Sequence, residues 1–356
     1  MKKLIPSFAL LLGSVLCMPA TPAQAQGVTL PQASQKATVM QRIGLTDVTI
    51  HYSSPAVNDR EIWGTLVPYN EGKPFPWRAG ANENTIIKFT DDVTIEGQPL
   101  KAGTYGLHMI PSEKEWTIIF SNTSTAWGSF FYNQDEDALR VQVVPAAGPF
   151  TEWLNYSFED RQSNSAMAVL QWEKLKVGFK VGVNAHEVVL NNIRGELKSL
   201  PFWGWQGPHQ AAVYCLQNNI NHDEALQWAD LSISRQQNFN NLSVKSGLLR
   251  QKGNDKEADE VMEKAIPIAN KAQLNAYGYR MMNAKKFDKA LVAFQLNVEH
   301  HPEDPNLWDS LGEGYYRSGD KEKAIKTLKK SLSMNPPDAV KANSIAMLKE
   351  MGVDYN

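Results

Sequence analysis

Val48-Thr49-Ile50-His51-Tyr52-Ser53 sets Val48, Ile50 and Tyr52 on one side and Thr49, His51 and Ser53 on the other. Such alternation marks a strand with one face buried. The pattern recurs outward from this stretch. Thr38 to Ile43 precedes it across the turn Leu45-Thr46-Asp47. Downstream come Thr85 to Thr90, Asp92 to Glu96, Thr104 to Ile110, Trp116 to Ser121 and Leu139 to Val144. Glu152 to Glu159, Ala166 to Glu173 and Lys176 to Val183 follow. The Gly/Pro-rich run from Gly97 to Gly103 and the run from Pro111 to Glu115 supply turns. Short strands with polar turns and no amphipathic helix between them predict an all-β antiparallel sandwich or barrel.

Between two of these strands lies a turn-rich segment. It runs from Ile62-Trp63-Gly64-Thr65-Leu66-Val67-Pro68-Tyr69 into Trp77-Arg78-Ala79-Gly80-Ala81-Asn82-Glu83-Asn84-Thr85. Loops on a rigid scaffold are where binding groups concentrate. Together with Ser54-Pro55, Arg60-Glu61, Ala102-Gly103-Thr104-Tyr105-Gly106-Leu107, Trp127-Gly128 and Leu139-Arg140-Val141, these motifs resemble a family of secreted bacterial proteins. It is catalogued as domain-of-unknown-function family 2911. The resemblance covers residues 34–184 and implies a secreted β-rich domain with no established activity. Asn70 to Pro76 stands as an extra stretch between the Val-Pro-Tyr and Trp-Arg elements.

From residue 206 the texture changes to Leu, Ala, Lys and Glu at helical spacing. Gly278 and Gly312, Ala290 and Ala324, Phe294 and Leu328, and Pro302 and Pro336 each lie 34 residues apart. Within 305–338, Trp308, Leu311, Gly312, Tyr315, Ala324, Leu328 and Pro336 resemble the tetratricopeptide repeat. Small Gly312 and Ala324 suit a close helix crossing, and Pro336 cannot continue a helix. Ala225 and Ala258 mark two weaker upstream repeats. The resemblance implies an all-α solenoid and a protein or peptide partner. The expected order is a signal peptide over 1–25, a β-sandwich over 26–190 and an aromatic connector over 191–205. About four repeats over 206–338 and a capping helix over 339–356 follow.

Lys2-Lys3, the apolar run Phe8 to Leu16, and Ala23-Gln24-Ala25 form the signal-peptide pattern. The run is too short to span a bilayer comfortably. Cleavage after Ala25 and a secreted or periplasmic location are therefore expected. Cys17 follows Val15-Leu16, which argues against lipidation. The remainder keeps one cysteine, Cys215, in an apolar run, so no internal disulfide is expected. A net charge of -2 over 356 residues gives no electrostatic reason to expect nucleic acid. No later stretch is long and apolar enough for a transmembrane segment.

Two readings of the β-domain compete. In one, Trp63, Trp77, Tyr105 and other aromatics flank a small-ligand, sugar or peptide pocket. Arg78, Asn82, Glu83, His51 and His108 then supply directional contacts, and Arg78 grips an anion. In the alternative, an extracellular hydrolase-like enzyme acts on carbohydrate or peptide, with His108, His51 and Glu83 as acid/base groups. The plain structural reading of the same residues has the aromatics filling the core and Glu83 pairing with Arg78. No G-x-S-x-G, H-E-x-x-H, P-loop or dinucleotide motif appears, so no cofactor is expected. His51, His108 and Glu83 lack metal-ligand spacing, so no metal is expected. Binding and assembly without catalysis is the favoured reading.

Overall fold

The computed structural model describes residues 30–73 and 75–355. The expected signal peptide and Cys17 lie outside the described residues. The chain divides into two compact units, Met1–Ala185 and His186–Asn356.

Among its described residues the first unit holds ten strands: β1 (Gln35–Ile43), β2 (Thr46–Ser54), β3 (Ile86–Phe89), β4 (Val93–Ile95), β5 (Gln98–Leu100), β6 (Gly103–Ile110), β7 (Trp116–Ser121), β8 (Asp137–Val143), β9 (Ala146–Glu159) and β10 (Ser165–Val183). All pair antiparallel. One sheet has the order β1-β2-β3-β6-β7-β8 and the other β5-β4-β10-β9. Alternation holds at Val48 and Ile50, fully buried, and at His51, exposed, but it ends at Tyr52, only half-buried, and Ser53, which is buried. The inner faces of the two sheets share one core, where Phe120 meets Phe179 edge to face at 5.5 Å.

Two expected strands, Ala166 to Glu173 and Lys176 to Val183, are one 19-residue strand. Its register against β9 shifts around Glu173, whose φ is +52°. Irregularity of this kind absorbs extra residues without ending the strand. A polar Glu-Lys pair inside a strand therefore reads falsely as a turn. Gln98–Leu100, expected as part of a turn, is a short edge strand beside β4.

The second unit is helical: α1 (Ala185–Glu196), α2 (Gln206–Asn218), α3 (His222–Arg235), α4 (Phe239–Gln251), α5 (Asp255–Ala265), α6 (Lys271–Asn283), α7 (Phe287–His300), α8 (Pro305–Ser318), α9 (Lys321–Ser333) and α10 (Asp338–Glu350). Helices α2/α3, α4/α5, α6/α7 and α8/α9 pack as consecutive pairs, and α10 lies on the last pair. Gly312 is small for a measurable reason. A Cβ there would stand 2.5 Å from Leu328 Cδ2. Gly278 meets Phe294 in the same way, at 2.4 Å. Ala290 and Ala324 are fully buried at the crossings.

A second repeating device joins three of the four pairs. Asn297 Nδ2 donates to Lys271 O at 2.9 Å, and Ser331 Oγ to Pro305 O at 2.7 Å. Ser232 Oγ donates likewise to Trp205 O at 2.8 Å. Each bond ties a second helix to a backbone carbonyl at the start of the first, whose second lone pair accepts it. The Arg235 guanidinium covers Phe202 and Trp203 of the connector, at 4.7 and 5.6 Å from the ring centroids. Cys215 is fully buried in α2, and burial pushes its thiol up to about 11. Asp309 is also buried. It accepts from Ser344 Oγ and from Asn343 Nδ2 of α10.

Candidate functional site

In the first unit the segment after β2 folds back on the sheet. Trp77 exchanges both backbone hydrogen bonds with Met109 of β6, each 2.8 Å. Ala79 O accepts from Tyr156 Oη at 2.8 Å and from Thr85 Oγ1 at 3.1 Å. Asn82, at φ +59°, donates to Ser34 O and Gln32 Oε1, both at 3.1 Å. The loop is thus clasped by three separate parts of the chain.

This anchoring determines what the singled-out residues do. Trp63 and Trp77 turn inward and pack with Trp116 and Trp172. Trp77 stacks on Trp172 at 6.2 Å, and Trp63 meets Trp116 edge-on at 5.2 Å. Tyr105 is buried beside Phe89 and donates to Lys101 O at 2.8 Å, away from the loop. Glu83 does not pair with Arg78. It pairs with Lys36 at 3.0 Å, which holds its carboxyl below the usual range. Arg78 Nη1 instead donates to Asn82 O. The adjacency of Arg78 and Glu83 in sequence misleads because Ala79 and Asn82 both adopt positive φ and reverse the chain.

His51 lies on the outer face of β2 with Nδ1 2.8 Å from Thr38 Oγ1. It lines a shallow depression with Glu83 and Lys36. His108 is elsewhere. It is buried, with Nδ1 2.7 Å from Ser129 Oγ and its ring edge-on to Tyr132 at 5.5 Å. Burial, helped by the positive charge of Arg78, pushes the His108 pKa down to about 4, so it is neutral at pH 7. The three acid/base candidates therefore do not share one cavity. Arg78 and Ser129 do. They line a depression of about 220 Å³ with Trp77, Phe75 and Leu66. The pairing of Ser129 with His108, 21 residues apart, carries no sequence signal. Among the described residues no three metal-ligating side chains gather.

The helical unit carries two grooves one repeat apart. The first, about 510 Å³, has an apolar floor of Met262, Ile266, Tyr277 and Leu296 with Glu263 and Glu299 on its rim. Its Lys289 is taken by Asp259 at 2.5 Å. The second, about 450 Å³, has Trp308, Leu311 and Tyr315 as floor and Lys323, Lys326 and Lys330 as rim. Lys323 stands 5.4 Å from the Tyr315 ring and Lys330 5.9 Å from that of Trp308. Val292 and Leu296 of the first groove stand one period of 34 before Lys326 and Lys330 of the second. The same position is thus apolar in one repeat and basic in the next. Among the described residues no helix is long and apolar enough to cross a membrane.

Comparison with known proteins agrees with this layout. Residues 34–181 match the family described as "Protein of unknown function (DUF2911)", and residues 305–338 match the tetratricopeptide repeat. Over 76 residues the chain is 41% identical to Superkiller protein 3 of Schizosaccharomyces pombe. That match covers 21% of this chain and 6% of that protein. Among solved structures, pilF of Pseudomonas aeruginosa is 19% identical, covering 42% of this chain and 69% of that chain at a TM-score of 0.29. The C-terminal part of a repeat protein of Cytophaga hutchinsonii is 20% identical, covering 47% and 66% at a TM-score of 0.33. YrrB, described as a tetratricopeptide protein with an unusual peptide-binding site, is 17% identical, covering 48% and 85% at a TM-score of 0.30.

Proposed function

We propose that this protein is an exported binding protein without catalytic activity, whose helical repeats dock an acidic peptide partner and whose β-domain holds a small ligand. The signal-peptide pattern of residues 1–25 supports export. The repeat match at 305–338 supports a peptide or protein partner. The observation that carries the partner's chemistry is the second groove. Its three exposed lysines flank an aromatic floor. Among the described residues Lys326 and Lys330 have no ion-pair partner, so their charge is available to a ligand. An acidic segment with one apolar anchor complements both features.

The test is fluorescence anisotropy on residues 26–356 with two labelled peptides, an acidic one containing a single Leu and a basic counterpart. The acidic peptide is expected to bind, more weakly as salt rises, since surface charges are screened. Lys326→Glu with Lys330→Glu should cost about tenfold or more in affinity. Equal binding of both peptides, or an unchanged affinity in the variant, would refute the assignment.

A further inference from the structure

We propose that the depression beside Arg78 and Ser129 binds the carboxylate of a small organic acid with an apolar body. This rests on reading the β-domain as a ligand-binding unit, and it names the ligand's class.

Arg78 is half-buried, and of its N–H groups one is committed, to Asn82 O. No carboxylate of the described residues pairs with it. Burial lowers its hold on the proton, yet a guanidinium stays charged at any physiological pH. A partly desolvated cation without a counter-ion is unfavourable, and an incoming carboxylate relieves that cost through two parallel hydrogen bonds.

The guanidinium is also held in a built seat. Gly128 adopts φ +61°, and a Cβ there would stand 2.3 Å from Arg78 Cζ. Only glycine fits beneath the planar group. The Phe130 ring centroid lies 5.1 Å from Cζ, and Phe130 in turn meets Phe75. The segments around residues 75–78 and 128–130 therefore meet at Arg78, Phe75, Gly128 and Phe130.

Charge and size select the ligand. His108, behind Ser129, is neutral at pH 7 for the reasons given above, so Arg78 is the single positive charge among the residues lining the depression. One cation matches one negative charge, and a phosphate dianion would bring a second without a partner. The volume of about 220 Å³ lies below the roughly 300–1,000 Å³ usual for drug-sized ligands. Exposed Leu66 in its lining, and exposed Phe130 beside Arg78, offer cover for an apolar body.

The experiment is ligand-observed NMR and calorimetry on residues 26–356. The probes are phenylacetate and hexanoate, each against its amide, and phenyl phosphate. Either acid should bind at least about tenfold more tightly than its amide and than phenyl phosphate. Arg78→Met should erase the preference, and Arg78→Lys should keep part of it. Phenyl phosphate binding as tightly as the acids would overturn the carboxylate assignment and leave the ligand-binding reading intact. Equal binding of acids and amides would remove Arg78 as the anchor. No binding of any probe at millimolar concentration would remove both. The acid–amide comparison on the unaltered protein decides the matter even if Arg78→Met fails to fold.

Discussion

The two units bury their apolar residues in opposite ways. The β-sandwich closes on one continuous core drawn from both sheets, whereas the helical unit divides its core into four clusters along the chain. In the sandwich, contacts join distant segments: Tyr156 holds Ala79, and Trp172 stacks on Trp77. In the helical unit, Gly278 meets Phe294 and Gly312 meets Leu328, each 16 residues on. A core made of distant segments forms or fails as a whole. One made of neighbours can open from an end.

The strongest test of this contrast is Trp172→Ala. Trp172 is almost fully buried and Nε1 donates to Glu152 O at 3.3 Å. Its loss should cost about 3–5 kcal/mol and lower the unfolding midpoint of the entire sandwich. Near-UV circular dichroism in denaturant should show this, with the helical signal at far-UV wavelengths retained. An equal fall of both signals would break the comparison.

Leu348→Ala probes the other side. Leu348 is fully buried in the terminal cluster with Leu328, Leu332 and Met347. A cost at the lower end of about 2–5 kcal/mol is expected, because an end helix can shift to close the gap. Hydrogen exchange should rise in α8 to α10 and stay unchanged in α2 to α5. Loss of protection throughout the unit would show that the clusters act as one.

The smallest effect concerns Asp309. Burial raises its pKa above the usual carboxylate range, so the folded state favours the neutral form. Its contribution to stability is present below the unfolded pKa and is lost as pH rises through the folded pKa. Asp309→Asn should stabilise the last helices at neutral pH by less than about 1 kcal/mol, since exposed Asn343 can turn its amide to match. The difference should vanish in melting curves at acid pH. A wild-type advantage at neutral pH would mean that the charge itself holds α10.

The same contrast explains what could be read in advance. Repeat positions were visible because each contact joins residues a fixed short distance apart, so Gly312, Ala324 and Leu328 repeat their predecessors at 34. The Asn297–Ser331 spacing carries the same period, and its hydrogen bonds went unseen only because both residues are ordinary polar types. In the sandwich, alternation marked the strands but could not show that β10 runs through Glu173. The site was half legible. Arg78 and His108 stood out by type and Gly128 only as part of the Trp127-Gly128 motif, with no sign of what it touches, while Ser129 comes from a stretch without period. Their partnership exists only after the loops close.

Cys215 gives this protein an internal clock. A chain lacking residues 1–25 has it as its one thiol. Sealed in α2 and held protonated, that thiol is inert to alkylating reagents until the helices around it separate. The rate at which it becomes modified therefore counts openings of the first helix pairs under native conditions, without denaturant. A cysteine placed on any exposed position would react long before it, so a probe can be attached elsewhere while the native thiol keeps time.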